Sequence, residues 1–259
     1  MQYFVQKDSI VRKIWGRADT VLFIFAGAAA QFSLNKAVEW LYFTGKLPAD
    51  PIGRLFSTVS YARHIIFSEK EKALAAIARM KSIHTNVENA RGHAIPDWAY
   101  REVLFMLIYY SVASFELLER TLTDEEKEEV LRVFYEVGTG MGIPQLPVDY
   151  KSWLIMHERQ LTHNLEKSQY SVDLYKQYRT HLGSFRYYIL LQVQSVLTPP
   201  QVINLLSLQS SVILRPLILL YKVCRHLNIE NILQRMLLPS KYRDQLKELN
   251  THGAANNTK

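Results

Sequence analysis

The fold can be read from the segment Ala73-Leu-Ala-Ala-Ile-Ala-Arg-Met-Lys-Ser-Ile-His-Thr-Asn-Val87. Its apolar residues recur at intervals of three and four, and this period predicts a helix with one buried face. His84 lies within that face, between Met80 and Val87. Such a histidine is either a core residue with a hydrogen-bonded ring or a neutral imidazole that can bind a metal. Both interpretations stay open at this point.

Polar residues at helical spacing occur just before this helix. Asp50-Pro51 supplies an N-cap and a first-turn proline, so a helix is expected to begin here. Arg54 and Thr58 then lie one turn apart, and Tyr61 continues their stripe. They form either a solvated helix face or one wall of a cavity. In a haem site, where one imidazole holds the iron, a fixed cation and a hydroxyl on the other side would orient oxygen or substrate.

A strongly apolar run, Val21-Leu-Phe-Ile-Phe-Ala-Gly-Ala-Ala-Ala-Gln-Phe32, precedes both segments. It is much shorter than the ~20 residues that a membrane-spanning helix needs, so we expect a buried helix. Gln31, near the end of the run, is either a core amide with satisfied hydrogen bonds or a polar group that lines a pocket.

Helical periodicity continues along the rest of the chain. Capping boxes at Ser68-Glu-Lys-Glu71 and Thr123-Asp-Glu-Glu126 predict two helix starts, and the second of these helices is expected to end near Gly138. A long helix is expected from about Ser171, and Thr198-Pro-Pro200 starts the next one.

These signals predict an all-α protein without a linker. We expect one globular domain of about ten helices over residues 1–249, globin-like in general style, followed by a disordered tail over 250–259. The chain has 259 residues, of which 48% are hydrophobic, and this is enough for a large core with an internal cavity.

Charge and cysteine content narrow the classes of partner. The net charge is +7, but the basic residues are scattered singly, which argues against nucleic-acid binding. A peripheral contact with an anionic membrane surface is compatible with this charge. The single cysteine, Cys224, excludes an internal disulfide and is consistent with a reducing compartment, so a cytoplasmic location is expected.

Several other chemistries lack their motifs. The chain has no HExxH, no pair of ExxH motifs, no GxSxG elbow and no glycine-rich phosphate loop. The other histidines have no partner at ligand spacing, and two of them, His64 and His157, stand among charged neighbours. Non-haem metal, serine-nucleophile and phosphate chemistry are therefore disfavoured.

Four motifs occur in a fixed order over half of the chain. They are Phe25-Ala-Gly-Ala-Ala-Ala-Gln31, Asp50-Pro-Ile-Gly-Arg-Leu-Phe-Ser-Thr58, Ile83-His-Thr-Asn-Val87, and an acidic helix start at Thr123 that leads to Gly138-Thr-Gly-Met-Gly-Ile-Pro-Gln-Leu-Pro147. In this order they resemble the haem-dependent oxygenase family that contains latex clearing protein (rubber oxygenase) and the fungal MpaB enzyme.

The resemblance implies an all-α fold that encloses a haem pocket and binds haem b without a covalent bond. His84 matches the proximal iron ligand, and Arg54 and Thr58 match a polar pair on the distal side. Gln31 and Tyr61 are expected to join His84 and Arg54 around the cofactor, and Arg54 and Thr58 are the candidate catalytic residues.

The chain departs from the family pattern at several positions. Ser57 stands where the latex enzymes have a lysine, Leu34-Asn35 replaces a histidine-proline pair, and Glu88 replaces a glycine. Glu39 lies near the place of an acidic base in the rubber oxygenases. These departures bear on the reaction more than on the fold.

The resulting hypothesis is a haem b-dependent oxygenase that uses dioxygen on a small apolar substrate, isoprenoid- or lipid-like. By analogy with the rubber oxygenases, the reaction would cleave a carbon–carbon double bond into two carbonyl fragments. The alternatives are a non-catalytic haem- or lipid-binding protein of the same fold, and a helical interaction protein without a cofactor in which His84 is structural.

Overall fold

The computed structural model describes residues 2–43, 45, 49–209, 216, 218–222 and 239–242. Within these residues the chain folds into ten α-helices and one short 3₁₀ helix, with no β-strand, so the all-α prediction is confirmed. The predicted tail over 250–259 and Cys224 lie outside the described residues. In the described part, no helix has both the length and the apolarity that crossing a membrane requires.

The helices follow one another in this order: α1 Ile10–Trp15, α2 Ala18–Leu34, α3 Glu39–Phe43, α4 Pro51–Phe67, α5 Lys70–Arg91, α6 Asp97–Leu118, α7 Asp124–Met141, α8 Tyr150–His163, α9 Gln169–Leu197, α10 Pro200–Leu206, and the 3₁₀ helix Ser240–Tyr242.

Helix α2 is the centre of the core and is buried on nearly all sides. It packs mainly against α6 and α9. Its small residues allow this packing, because a Cβ atom at Gly27 would overlap with the ring of Tyr110 on α6. The apolar run that contains Gln31 is therefore a buried helix, as predicted.

Helix α4 begins as the sequence predicts. The Asp50 carboxylate accepts a hydrogen bond from the Gly53 backbone N–H at 3.1 Å, and Pro51 occupies the first turn. The side chains of Lys241 and Tyr242 also hydrogen-bond to Asp50, so the 3₁₀ helix is held against the start of α4.

The predicted capping box at Ser68 is wrong. Helix α5 begins at Lys70, and its N-cap, Glu69, makes no side-chain cap. The backbone groups here pair with the N-terminal segment instead: Lys70 N–H donates to Gln2 O at 3.0 Å, and Phe4 N–H donates to Ser68 O at 3.2 Å. A non-local pairing has replaced the local cap.

The capping box at Thr123 is confirmed, with Glu126 as its partner. Helix α7 continues past Gly138 to Met141, where Gly142 ends it in the left-handed conformation with φ of 79°. Gly140 allows α7 to approach α5, because a Cβ atom there would lie 2.9 Å from Cγ2 of Ile77. Gly138 and Gly140 therefore lie inside α7, where they allow close packing, and do not end the helix.

Candidate functional site

A largely apolar cavity of about 300 Å³ lies between helices α2 to α7. Its volume is at the lower end of the range of small-molecule sites in proteins. Four of the predicted site residues lie together in its wall, namely Arg54, Thr58, Tyr61 and His84. Residues from two stripes, which the sequence places on separate helices, thus line one cavity.

His84 is half-buried in the wall and has a defined hydrogen bond. Its Nδ1 lies 2.8 Å from the main-chain carbonyl oxygen of Met80, one turn earlier on α5. A carbonyl oxygen can only accept, so Nδ1 carries the hydrogen. In a neutral imidazole this leaves Nε2 with a free lone pair, the form that binds a metal.

The ring of Tyr100 packs edge-on against His84, with the ring centroids 5.4 Å apart. Burial, together with the nearby Glu88 carboxylate, raises the pKa of Tyr100. The hydroxyl therefore stays protonated and donates to Glu88 at 3.1 Å. The imidazole is thus held by a main-chain acceptor on one side and an ordered aromatic ring on another.

Arg54 places a cation in the cavity wall on α4, the helix that precedes the one carrying His84. Its Nη1 donates to the Ser57 hydroxyl at 3.0 Å, and burial lowers the pKa of the guanidinium, which remains charged at neutral pH. The Thr58 hydroxyl donates to the Arg54 carbonyl oxygen at 3.2 Å. Arg54 therefore keeps donors for a ligand, whereas the Thr58 hydrogen is used within the helix.

Gln31 is not among the residues that line this cavity. It is fully buried, and its Nε2 donates to the Glu102 carboxylate at 3.2 Å. Asn164 donates to the other oxygen of Glu102 at 3.3 Å, while burial raises the pKa of this carboxyl. The structure thus places Gln31 as a core amide, and its contact with a cofactor stays a prediction without geometric support.

Glu39 also lies outside the cavity lining. Its carboxylate is exposed and pairs with the guanidinium of Arg91 at 3.0 Å. The same guanidinium lies 3.9 Å above the ring of Trp40, which does line the cavity. Glu39 therefore forms an ion pair at the edge of the site, and its carboxylate does not lie inside the cavity.

Sequence reasoning did not assign three residues to the site, although Asn35 and Glu88 were noted as departures from the family pattern. Tyr100 and Asn35 line the cavity, and Glu88 holds Tyr100 in place. Glu88 lies one turn after His84, so helical spacing alone could have placed it beside the imidazole. No local signal marks Tyr100 or Asn35, because they reach the cavity from other helices.

Among the described residues, no group of three or more His, Cys, Asp or Glu side chains could hold a metal ion. A haem iron would need less from the protein, since the porphyrin supplies four of its ligands. His84 is the one histidine among the described residues that line the cavity, and it is the candidate for such a ligand.

Comparison with known protein families identifies the class. Residues 12–252 match the family described as ER-bound oxygenase mpaB/B'/Rubber oxygenase, catalytic domain. The match covers most of the chain, which therefore belongs to this oxygenase family, and the resemblance of the four motifs is confirmed. Searches of curated proteins and of solved structures found no match.

Proposed function

We propose that this protein is a haem b-dependent oxygenase that acts with dioxygen on an apolar, isoprenoid- or lipid-like substrate. Family membership supports the class of reaction. One observation supports the cofactor: the Nδ1–H of His84 donates to Met80 O at 2.8 Å in the wall of an apolar cavity, so Nε2 is the ring nitrogen left for a metal.

The residues of the wall fit a haem. His84 would hold the iron, and the hydrogen bond to Met80 would fix its tautomer and orientation. Apolar side chains from six helices, α2 to α7, would surround the macrocycle. When bound, the haem supplies the redox chemistry with dioxygen, and the protein supplies binding, orientation and electrostatics.

Arg54 is the residue that we assign to the reacting oxygen atoms. A guanidinium that is partly withdrawn from water interacts more strongly with developing negative charge than one in solvent. The apolar walls would exclude water while the guanidinium donates. Oxidative cleavage of a carbon–carbon double bond is the outcome we propose by analogy with the rubber oxygenases named in the family description.

A second candidate function is binding of haem or lipid without turnover. The Thr58 hydroxyl favours it, because its hydrogen is already donated to the main-chain oxygen of Arg54. A hydroxyl that donates within its own helix is less available to a substrate than a free one.

The decisive first experiment is expression with a haem precursor. The purified protein should be red with a Soret band, and His84→Ala should abolish the band without loss of helical circular dichroism. His163→Ala is the matched control, since His163 makes the same 2.8 Å bond to a carbonyl one turn earlier but on an exposed helix face. A colourless, folded wild-type protein contradicts both haem proposals.

Turnover is tested on the red protein. Oxygen consumption should rise with at least one member of a panel of unsaturated lipids and terpenoids. A haem protein that binds these compounds but consumes no oxygen with any of them is a carrier rather than an oxygenase.

A further inference from the structure

We propose that a smaller cavity beside the main one is a binding site for dioxygen. This smaller cavity has a volume of about 100 Å³ and lies between helices α2, α4 and α9. The inference rests on the proposed function for the identity of its ligand, because dioxygen is the co-substrate of an oxygenase. It does not depend on the cofactor.

The wall of the smaller cavity is apolar. On α4 it is formed by Ile52, Leu55, Phe56 and Val59, whose spacing of three and four residues places them on one helix face. A stripe of α2 with the same spacing and residues from both halves of α9 complete the wall. Among the described residues that line it, only Tyr178 has a polar atom in its side chain.

Two features of the helices leave this space unfilled. Ala26 and Ala29 of α2 line the cavity with side chains of a single carbon atom. Helix α9 is interrupted at Gly183, where φ is 73° and ψ is 164°, so Leu182 and Leu190 reach the wall from two differently directed halves of the helix. Native interiors contain few voids larger than a water molecule, because atoms beside a void lose packing contacts.

The smaller cavity adjoins the candidate site. Phe25 and Leu55 line both cavities, so the two spaces share part of their walls. Leu55 follows Arg54 in α4, and Thr58 lies one turn further along; both polar residues line the main cavity. A molecule in the smaller cavity is therefore separated by side chains, rather than by a helix, from the wall that carries Arg54.

Size and polarity favour a small apolar occupant. A buried water needs roughly two to four polar partners, and apolar cavities without them stay dry. An apolar cavity of about 150 Å³ can take up benzene or xenon, so one of this size suits a molecule of a few atoms. A chain-like substrate would have to displace Phe25 and Leu55 from the shared wall, whereas a diatomic molecule needs only a brief rotation of these side chains. Dioxygen fits these requirements.

The test uses dioxygen itself as the probe. Dioxygen is paramagnetic and accelerates the NMR relaxation of methyl groups close to it. Relaxation is measured on the purified full-length protein under equal pressures of oxygen and of nitrogen, so the contribution of any bound ferric haem is common to both and cancels. The methyl groups of Ile52, Val59 and Leu182 report on the smaller cavity. Those of Leu74, which is exposed, and Val130, which is fully buried and lines neither cavity, are the references.

The oxygen-induced relaxation should be at least about 4-fold larger at the three cavity residues than at Leu74, a preference equal to that for burial of one methylene group. Val130 should respond less than Leu74. Leu190→Phe and Ala29→Val each fill part of the smaller cavity and should lower its response to that of Leu74. Leu117→Phe, at a half-buried position on α6 that lines neither cavity, should keep the wild-type response.

The inference is overturned if the wild-type cavity methyl groups respond no more than those of Leu74. It is also overturned if a filling variant that keeps its helical circular dichroism retains the full response. Saturation with octane distinguishes dioxygen from a chain-like substrate. The response should persist with octane present, and its loss would show that the smaller cavity holds the substrate chain instead.

This measurement needs neither colour nor turnover. A colourless protein with the large cavity response would contradict the proposed cofactor and leave the dioxygen site standing. A red protein without that response would contradict the dioxygen site and leave the proposed cofactor standing.

Discussion

The hydroxyl of Tyr100 donates a hydrogen bond to the carboxylate of Glu88 at 3.1 Å. The same carboxylate oxygen accepts from the backbone N–H of Ile95 at 2.8 Å. Glu88 thereby joins the end of α5 to the start of α6 and holds the tyrosine that packs on His84. The family glycine at this position has no side chain with which to make these bonds.

Removal of this carboxylate should loosen the α5–α6 corner. Glu88→Ala leaves the Tyr100 hydroxyl and the Ile95 N–H without their acceptor, and we expect the free energy of unfolding to fall by about 1–2 kcal/mol. Urea unfolding followed by circular dichroism measures the loss. Glu136→Ala, an exposed change within α7, should cost less than about 0.5 kcal/mol. Equal losses for the two variants would contradict the role of Glu88.

The two stripes that point to the site were predictable because helical periodicity is a local property. Each stripe lies within one helix, so its spacing can be read from sequence: one contains Met80, His84 and Val87, and the other contains Arg54 and Thr58. Whether the stripes share a cavity depends on how α4 and α5 cross, and no local pattern encodes that. The family motifs supplied this link, since they associate the two segments in one site.

Gln31 shows the limit of reasoning from one segment. A glutamine in an apolar helix predicts a buried polar partner. The partner is Glu102, which is 71 residues away, and no spacing rule points to it. The capping box at Ser68 failed for a related reason, because Gln2 reaches the Lys70 N–H from the other end of the chain.

His157 was placed among charged neighbours by sequence, yet only 3% of it is exposed. Its ring stacks on Trp153 with centroids 5.1 Å apart and planes 9° from parallel. Charged residues adjacent in sequence lie on the outer face of α8, and one turn of the helix carries both environments.

Burial lowers the pKa of His157 to about 4 from its ordinary 6.5. In the unfolded chain, His157 therefore takes up a proton below about pH 6.5. In the folded protein it takes up this proton only below about pH 4. The free energy of unfolding should fall as the pH drops through this window, with His157 contributing at most about 3 kcal/mol.

His157→Phe keeps a stacked ring and removes the titration, so its stability should depend less on pH between 6.5 and 4. Urea unfolding at several pH values gives this slope. His163→Phe, at an exposed histidine, should retain the wild-type slope. An unchanged slope in His157→Phe would show that other groups govern the acid loss.

A methyl group at Gly27 should be far more disruptive than one at Gly138. At Gly27 the new Cβ meets the ring of Tyr110, which is fully buried and cannot move aside. We expect Gly27→Ala to lower the free energy of unfolding by about 1–3 kcal/mol through overpacking. Helices α2 and α6, which both contribute residues to the cavity wall, would be forced apart.

Gly138→Ala is the variant with which the loss of stability in Gly27→Ala is compared. Its Cβ would lie 2.7 Å from Cδ atoms of Leu104 and Leu146, which are the ends of flexible side chains. Alanine also favours the helix over glycine by about 1 kcal/mol, so the net change should be within about 1 kcal/mol. Thermal and urea unfolding would refute the argument if the two variants were equally destabilised.

Arg54 and Thr58 should contribute unequally to turnover, although they occupy matching places in the family motif. The hydroxyl hydrogen of Thr58 already donates to Arg54 O, whereas the guanidinium has five N–H donors and makes one hydrogen bond, to Ser57, among the described residues. A donor aimed at developing negative charge typically contributes about 100-fold or more to the rate.

We therefore expect Arg54→Ala to reduce the rate of oxygen consumption about 100-fold, and Thr58→Val to reduce it less than about 10-fold. Rates are compared at equal haem content, judged from the Soret absorbance, so that loss of cofactor is not counted as loss of turnover. Arg79→Ala removes an exposed arginine from α5 and should leave the rate unchanged. If Thr58→Val is as slow as Arg54→Ala, the hydroxyl must leave its carbonyl during the reaction, and the two residues act as one unit.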